Sequence, residues 1–126
     1  MVNSLMYVTR LALVFVVANL TACATIANRP ARLSHSSYGC METVVREKLP
    51  ANLPDKRAHC LAGGLISRYC SVTEAYLAGA GKEIRDLLGH GDAEWGDWRA
   101  DRVGIECARE SADDDAVAEC CSQRGY

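Results

Sequence analysis

The chain has 126 residues, of which 49% are hydrophobic and 24% charged, and its formal net charge is -2. This length predicts a single domain, and the apolar fraction is too high for a disordered chain. A net charge so close to zero gives no reason to expect a nucleic-acid partner, which would require a basic surface.

The first 23 residues have the organisation of a bacterial lipoprotein signal. Residues 11–20, LALVFVVANL, form an apolar run as long as a signal-peptide core and too short to span a bilayer. The tetrapeptide Leu20-Thr21-Ala22-Cys23 follows and resembles the lipobox of bacterial lipoproteins. The resemblance implies that residues 1–22 are removed as a signal peptide and that Cys23 carries the lipid that anchors the protein to a membrane.

Two other interpretations of this segment remain open. One is an ordinary signal peptide cleaved near residues 22–24, which would leave Cys23 unmodified, and the other is an uncleaved anchor helix. The cysteine count favours lipidation, because without Cys23 the seven cysteines become six, enough for three disulfides with no odd thiol. The adjacent Cys120 and Cys121 are expected to bond to different partners, since a vicinal disulfide is strained. The pairing stays open among all six candidates: Cys40, Cys60, Cys70, Cys107, Cys120 and Cys121.

The remainder of the chain predicts an all-α domain. Residues 23–37 are predicted to be the lipidated cysteine and a flexible polar tether, and residues 38–126 a disulfide-stapled bundle of three to five helices. Ser71 to Glu74 has the capping-box pattern of a helix start, and Gly63-Gly64 indicates the close approach of another helix. The predicted helices cover residues 38–49, 55–70, 72–88, 97–110 and a short last segment that starts at the acidic stretch 113–115.

Charged side chains recur at helical spacing on three of these helices, so that members of each pair share a face. If the three faces converge, they gather carboxylates around one lysine and one histidine. We call these residues the predicted polar set; they are Asp55, Lys56, His59, Glu83, Asp86, Asp97 and Asp101.

Residues 55–104 resemble the small periplasmic lipoproteins of the YfiM type and, more distantly, VanZ-like proteins. The resemblance rests on short motifs in a shared order: Asp55-Lys56 with His59, Gly81-Lys82-Glu83 with Asp86, Trp95, and Asp97-Trp98 with Ala100-Asp101 and Gly104. It implies a helical domain in which the polar residues lie together, and it implies no mechanism. Cys60 stands where the shared pattern has an aromatic residue, and Cys70, Cys107, Cys120 and Cys121 have no counterpart in it.

The leading functional prediction is a non-enzymatic envelope lipoprotein that acts as a structural or interaction module, held at the membrane by Cys23 and serving an envelope protein partner. In this case the predicted polar set forms interhelical ion pairs, with Lys56 bonded to Asp101 or Glu83. The alternative is a hydrolase or metal-binding protein that acts on envelope lipid or peptidoglycan through His59, Glu83 and Asp101. No cofactor and no metal are predicted, because no complete catalytic or ligand motif is present.

The predicted location is the cell envelope, with the domain facing the periplasm. Ala24 follows the lipidated cysteine, whereas an aspartate there retains enterobacterial lipoproteins at the inner membrane. By that resemblance, the outer membrane is favoured over the inner.

Overall fold

The computed structural model describes residues 29–89 and 94–126, with the side chains of residues 83–88 left out. The predicted signal peptide and Cys23 therefore lie outside the described residues. Within the described part every regular element is a helix, which confirms the predicted all-α fold. The helices are α1 (Ser37–Glu47), α2 (Asp55–Tyr69), α3 (Val72–Leu88), α4 (Trp95–Glu110) and α5 (Asp114–Gln123).

Short polar side chains begin three of these helices. The hydroxyl oxygen of Ser36 accepts a hydrogen bond from the Gly39 amide at the start of α1, and that of Ser71 accepts from the Glu74 amide at the start of α3. A carboxylate oxygen of Asp113 accepts from the Ala116 amide in the same way. Each bond satisfies an amide that the helix leaves without a partner, so these residues determine where the helices start.

Helix α2 is the centre of the bundle and packs most extensively against α4. Glycines allow the close approach of these two helices, as the Gly63-Gly64 pair predicts. A Cβ at Gly63 would lie 2.6 Å from the backbone oxygen of Asp101, and one at Gly104 would overlap the carbonyl of Cys60. Residues further along α2 contact residues further along α4, from Gly63 with Asp101 to Gly64 with Gly104. The two helices therefore run in the same general direction.

Three disulfides staple the bundle, which confirms the prediction that the six candidates pair with one another. Cys40–Cys70 joins α1 to the end of α2, Cys60–Cys121 joins α2 to α5, and Cys107–Cys120 joins α4 to α5. Cys120 and Cys121 bond to different partners, as expected. The bridges add to a core that contains few large side chains, with Leu65, Ile105, Val44 and Val117 the largest apolar ones that are fully buried.

None of the helices in the described part of the chain combines the length and the apolarity that crossing a bilayer requires.

Candidate functional site

The first two turns of α2 and of α4 lie side by side and bring their charged residues together. Lys56 and His59 share a face of α2, and Asp97 and Asp101 are one turn apart on α4. Because the two helices run in the same direction, the earlier residue of each pair meets the earlier residue of the other.

The ring of His59 lies between two carboxylates of α4. Its Nδ1 is 2.9 Å from Oδ1 of Asp101, and its Nε2 is 3.4 Å from Oδ2 of Asp97. Burial of the ring, which is 8% exposed, opposes its positive charge, and so does the charge of Lys82. The hydrogen bond to Asp101 and the charges of both aspartates outweigh these effects and raise the pKa of His59 above its usual 6.5. The imidazolium form therefore fits this position, where both ring nitrogens can donate to an aspartate.

Asp97 is 2% exposed and accepts hydrogen bonds from two lysines. Oδ1 is 2.5 Å from Nζ of Lys56, and Oδ2 is 2.9 Å from Nζ of Lys82 on α3. Burial favours the neutral acid, but these two bonds and the charge of His59 prevail and lower the pKa of Asp97 to about 2. Its charge therefore joins three helices across the neutral pH range.

Lys56 also bonds to two exposed carboxylates, those of Asp55 at 3.1 Å and of Glu94. Hydrogen bonds from its ammonium to Asp97 and Glu94 outweigh its partial burial and raise the pKa of Lys56. The ion-pair cluster, as we call it from here on, comprises Asp55, Lys56, His59, Lys82, Glu94, Asp97 and Asp101.

One group of described side chains has ligand atoms close enough to hold a metal ion. These atoms belong to Asp55, His59 and Asp97 and lie within 4.8 Å of one another. Asp101 on the far nitrogen of His59 resembles the carboxylate that orients many metal-bound histidines. Both oxygens of Asp97, however, already accept from lysine ammonium groups, so a cation would have to displace Lys56 and Lys82. The arrangement fits a network of ion pairs better than a metal site.

The structure brings together five of the seven members of the predicted polar set. The side chains of Glu83 and Asp86 are outside the described residues, so their place in the predicted set is untested. Lys56 was expected to bond to Asp101 or Glu83. It meets Asp97 instead of Asp101, because it lies one turn before His59, and the Glu83 alternative is untested. Sequence reasoning left out Lys82 and Glu94. Lys82 belongs to the motif Gly81-Lys82-Glu83, which was the available signal for it.

Asp101 is held in place by the backbone around it. Its Oδ2 is buried and has no hydrogen-bond partner among the described residues. This oxygen lies against Gly79 of α3, where an added Cβ would collide with it. Gly79 is therefore required for the position of this carboxylate, which in turn orients the ring of His59.

A cavity of about 550 Å³ lies beside the cluster, between α1, α2 and α3. Its size falls in the range of about 300–1,000 Å³ that is usual for small-molecule sites. Met41, Ile66 and Ala75 line it with apolar surface. Three members of the cluster also border it: His59, Lys82 and Asp101. The cavity is thus an apolar groove that has the cluster at its border.

On α2 and α3 the polar and apolar lining residues lie at opposite ends of this cavity, while α1 adds two exposed charged residues, Glu42 and Arg46. On α2 the lining residues advance from His59 to Ile66, and on the antiparallel α3 from Ala75 to Lys82. Each interval is seven residues, or about 10 Å of helix. One end therefore carries His59 and Lys82, and the other carries Ile66 and Ala75.

The chain that precedes α1 is attached at the apolar end. Arg29 donates to the backbone oxygen of Ser67 at 3.0 Å, and Arg32 binds both carboxylate oxygens of Glu74. Hydrogen bonds from Arg32 and Ser71 lower the pKa of Glu74 to about 2. The second half of the predicted tether is therefore bonded to the domain. Its bonding partners, Ser67 and Glu74, are next in sequence to Ile66 and Ala75.

Two aromatic side chains stand out on the surface. Tyr38 is 74% exposed at the edge of the cavity, and Trp95 is 81% exposed at the first residue of α4. Trp98, in contrast, packs against the ring of Tyr76 with 5.7 Å between the ring centroids. Trp95 thus begins α4 on the solvent side, whereas Trp98 packs against another aromatic ring.

Comparisons of the chain with protein-family models, with curated proteins and with solved structures give no match. The functional argument therefore rests on the residues themselves.

Proposed function

We propose that the protein is a lipid-anchored envelope lipoprotein whose helical domain is a non-enzymatic binding module. The lipobox pattern that ends at Cys23 supports the anchor, and the six paired cysteines support an oxidising compartment. The short motifs in residues 55–104 that resemble those of YfiM-type lipoproteins favour the same location. The outer membrane remains the favoured destination because Ala24 follows Cys23.

The ion-pair cluster has a structural role in this proposal. Asp97 bonds to cations from α2 and α3, and His59 is held by two aspartates of α4. Groups that are paired in this way fix the register of the helices and are poorly placed for turnover. The cluster therefore holds the end of the cavity in shape.

The observation that carries the proposal is the amphipathic cavity. An apolar groove of ligand size with convergent polar groups at one end is the usual form of a binding site. Tyr38 and Val45 are exposed on its α1 side, and apolar side chains at an open edge favour association with an apolar partner.

The test uses the full chain in its own envelope. A photoreactive residue replaces Ala78, which lines the cavity, and in a matched control it replaces Ala80, which lies on another face of α3. We expect a defined adduct at position 78 and none at position 80, together with a lipidated Cys23 in the mass spectrum of the mature N-terminus. Equal labelling at both positions, or an unmodified Cys23, would reject the proposal.

A second candidate function is hydrolysis of an acyl or glycan substrate from the envelope. One observation favours it: His59 and Asp101 are hydrogen-bonded and both border the cavity, as a base and its orienting group would. The test is hydrolysis of envelope lipid and peptidoglycan by the full chain. Activity that is lost in His59→Gln, with an unchanged melting temperature, would favour the enzyme over the binding module.

A further inference from the structure

The apolar end of the cavity is the end closer to the predicted anchor. Its apolar end lies where Arg29 and Arg32 attach the incoming chain to α2 and α3. Only five residues separate Cys23 from Arg29, and six extended steps span at most about 20 Å. A lipid on Cys23 would therefore keep the apolar end close to the bilayer, with His59 and Asp101 at the end farther from it.

This orientation of the cavity matches that of a lipid in the leaflet that holds the anchor. The head group of such a lipid points away from the bilayer, and its chain points back into it. A lipid that moved straight out of the leaflet would bring its polar head to the end with His59 and Lys82, and its chain to Ile66 and Ala75. Tyr38, exposed at the cavity edge, is a residue type that is common at membrane interfaces.

We propose that the cavity binds a single-chain membrane lipid, with its head beside His59 and Asp101 and its chain along Met41, Ile66 and Ala75. This inference rests on the proposed function, because the lipid anchor sets the orientation. The volume of the cavity, about 550 Å³, is that of a site for one small ligand and favours one chain over two. An uncharged or zwitterionic head suits the mixed charge of the polar end, where Lys82 and Asp101 both border the cavity.

The probe is a lysophosphatidylethanolamine with a diazirine in its chain, added below its micelle concentration to membranes that contain the full chain. After irradiation, we expect labelled peptides from the cavity-lining segments around Met41 and Ile66. Unlabelled lysolipid should compete, and a two-chain phospholipid should not.

Two variants of α3 make the test specific. Ala78→Phe fills the cavity and should lower the labelling at least tenfold, whereas Ala80→Phe adds the same ring outside the cavity and should leave it unchanged. Melting temperatures of both variants show that the domain is folded. If Ala78→Phe does not fold, Ala62→Leu takes its place with the same expectation.

The outcomes separate this inference from the proposed function. Labelling that is spread over the surface, or equal in the two phenylalanine variants, overturns the lipid proposal. Labelling that occurs only in Cys23→Ser means that the chain's own acyl group fills the cavity, which also overturns it. A protein adduct at position 78 with a lipidated Cys23 overturns the lipid proposal and leaves the binding module standing. An unmodified Cys23 rejects the proposed function itself.

Discussion

Asp97 is the residue on which the ion-pair cluster depends most, so its replacement tests the structural role of the cluster. In Asp97→Asn, Lys56, Lys82 and His59 lose the carboxylate that they share. Removal of one partner from a buried ion pair costs about 3–5 kcal/mol. The side chains of the two lysines are 37% and 31% exposed, so they can turn partly toward water. We therefore expect a loss of about 2–3 kcal/mol in the free energy of unfolding at pH 7.

The pH dependence of this loss follows from the pKa of Asp97. Folding lowers that pKa from 3.8 to about 2, a difference that corresponds to about 2 kcal/mol. Because the folded-state value is the lower one, the stabilisation is complete above the unfolded pKa and disappears as the pH falls through the folded pKa. The difference between wild type and Asp97→Asn should thus shrink by about half at pH 3.

The assay is urea unfolding followed by circular dichroism at pH 7 and pH 3, with the disulfides intact. Asp115→Asn is the matched control, because Asp115 is exposed in the first turn of α5; it should change the free energy by about 0.5 kcal/mol or less. An Asp97→Asn protein as stable as wild type at pH 7, or a difference in stability that is equal at both pH values, would contradict a structural role for the cluster.

Three further predictions concern packing, titration and the disulfides. Gly104→Ala should destabilise the domain by about 3 kcal/mol or more because its Cβ would overlap the Cys60 carbonyl, whereas Gly81→Ala, with open space around the new Cβ, should stabilise it by about 0.5–1 kcal/mol in the same unfolding assay. The His59 ring should titrate above pH 6.5 in an NMR experiment, and its contribution to stability should be lost as the pH rises through that pKa; titration below 6.5 would mean that burial outweighs the aspartates. Replacing Cys60 and Cys121 together by serine should cost about 4 kcal/mol, since this bridge has a sequence separation of 61, and a melting temperature close to that of wild type would contradict the estimate.

The fold was largely predictable from local patterns. Ser71 and Glu74, the acidic start of α5 and the Gly63-Gly64 pair act within a few residues of their own positions, so their meaning could be read from spacing alone. The predicted start of α4 near Asp97 was two residues late, because Glu94 occupies the position before the helix without a side-chain cap. Such a boundary leaves no local signal.

The membership of the candidate site was predictable in part, and its pairing was not. Helical spacing showed that Lys56 and His59 share a face, as do Asp97 and Asp101. Which lysine meets which aspartate depends on the relative direction and offset of α2 and α4, and the close glycine contacts between those helices set both. The cavity could not be predicted at all, because its walls come from three helices that are distant in sequence.

The helices of the domain, the even number of cysteines left when Cys23 is set aside, and the charged residues at helical spacing could all be identified from the amino-acid sequence. These features follow from short segments of the sequence and from residue counts, so they can be identified without a structure. Three other features depend on how the helices pack: Asp97 bonds to two lysines, Cys60 bonds to Cys121, and the apolar end of the cavity lies where Arg29 enters. Each of these contacts joins residues that are far apart in the chain, and the packing of helices around α2 selects one set of partners from many that the charges and thiols alone would permit.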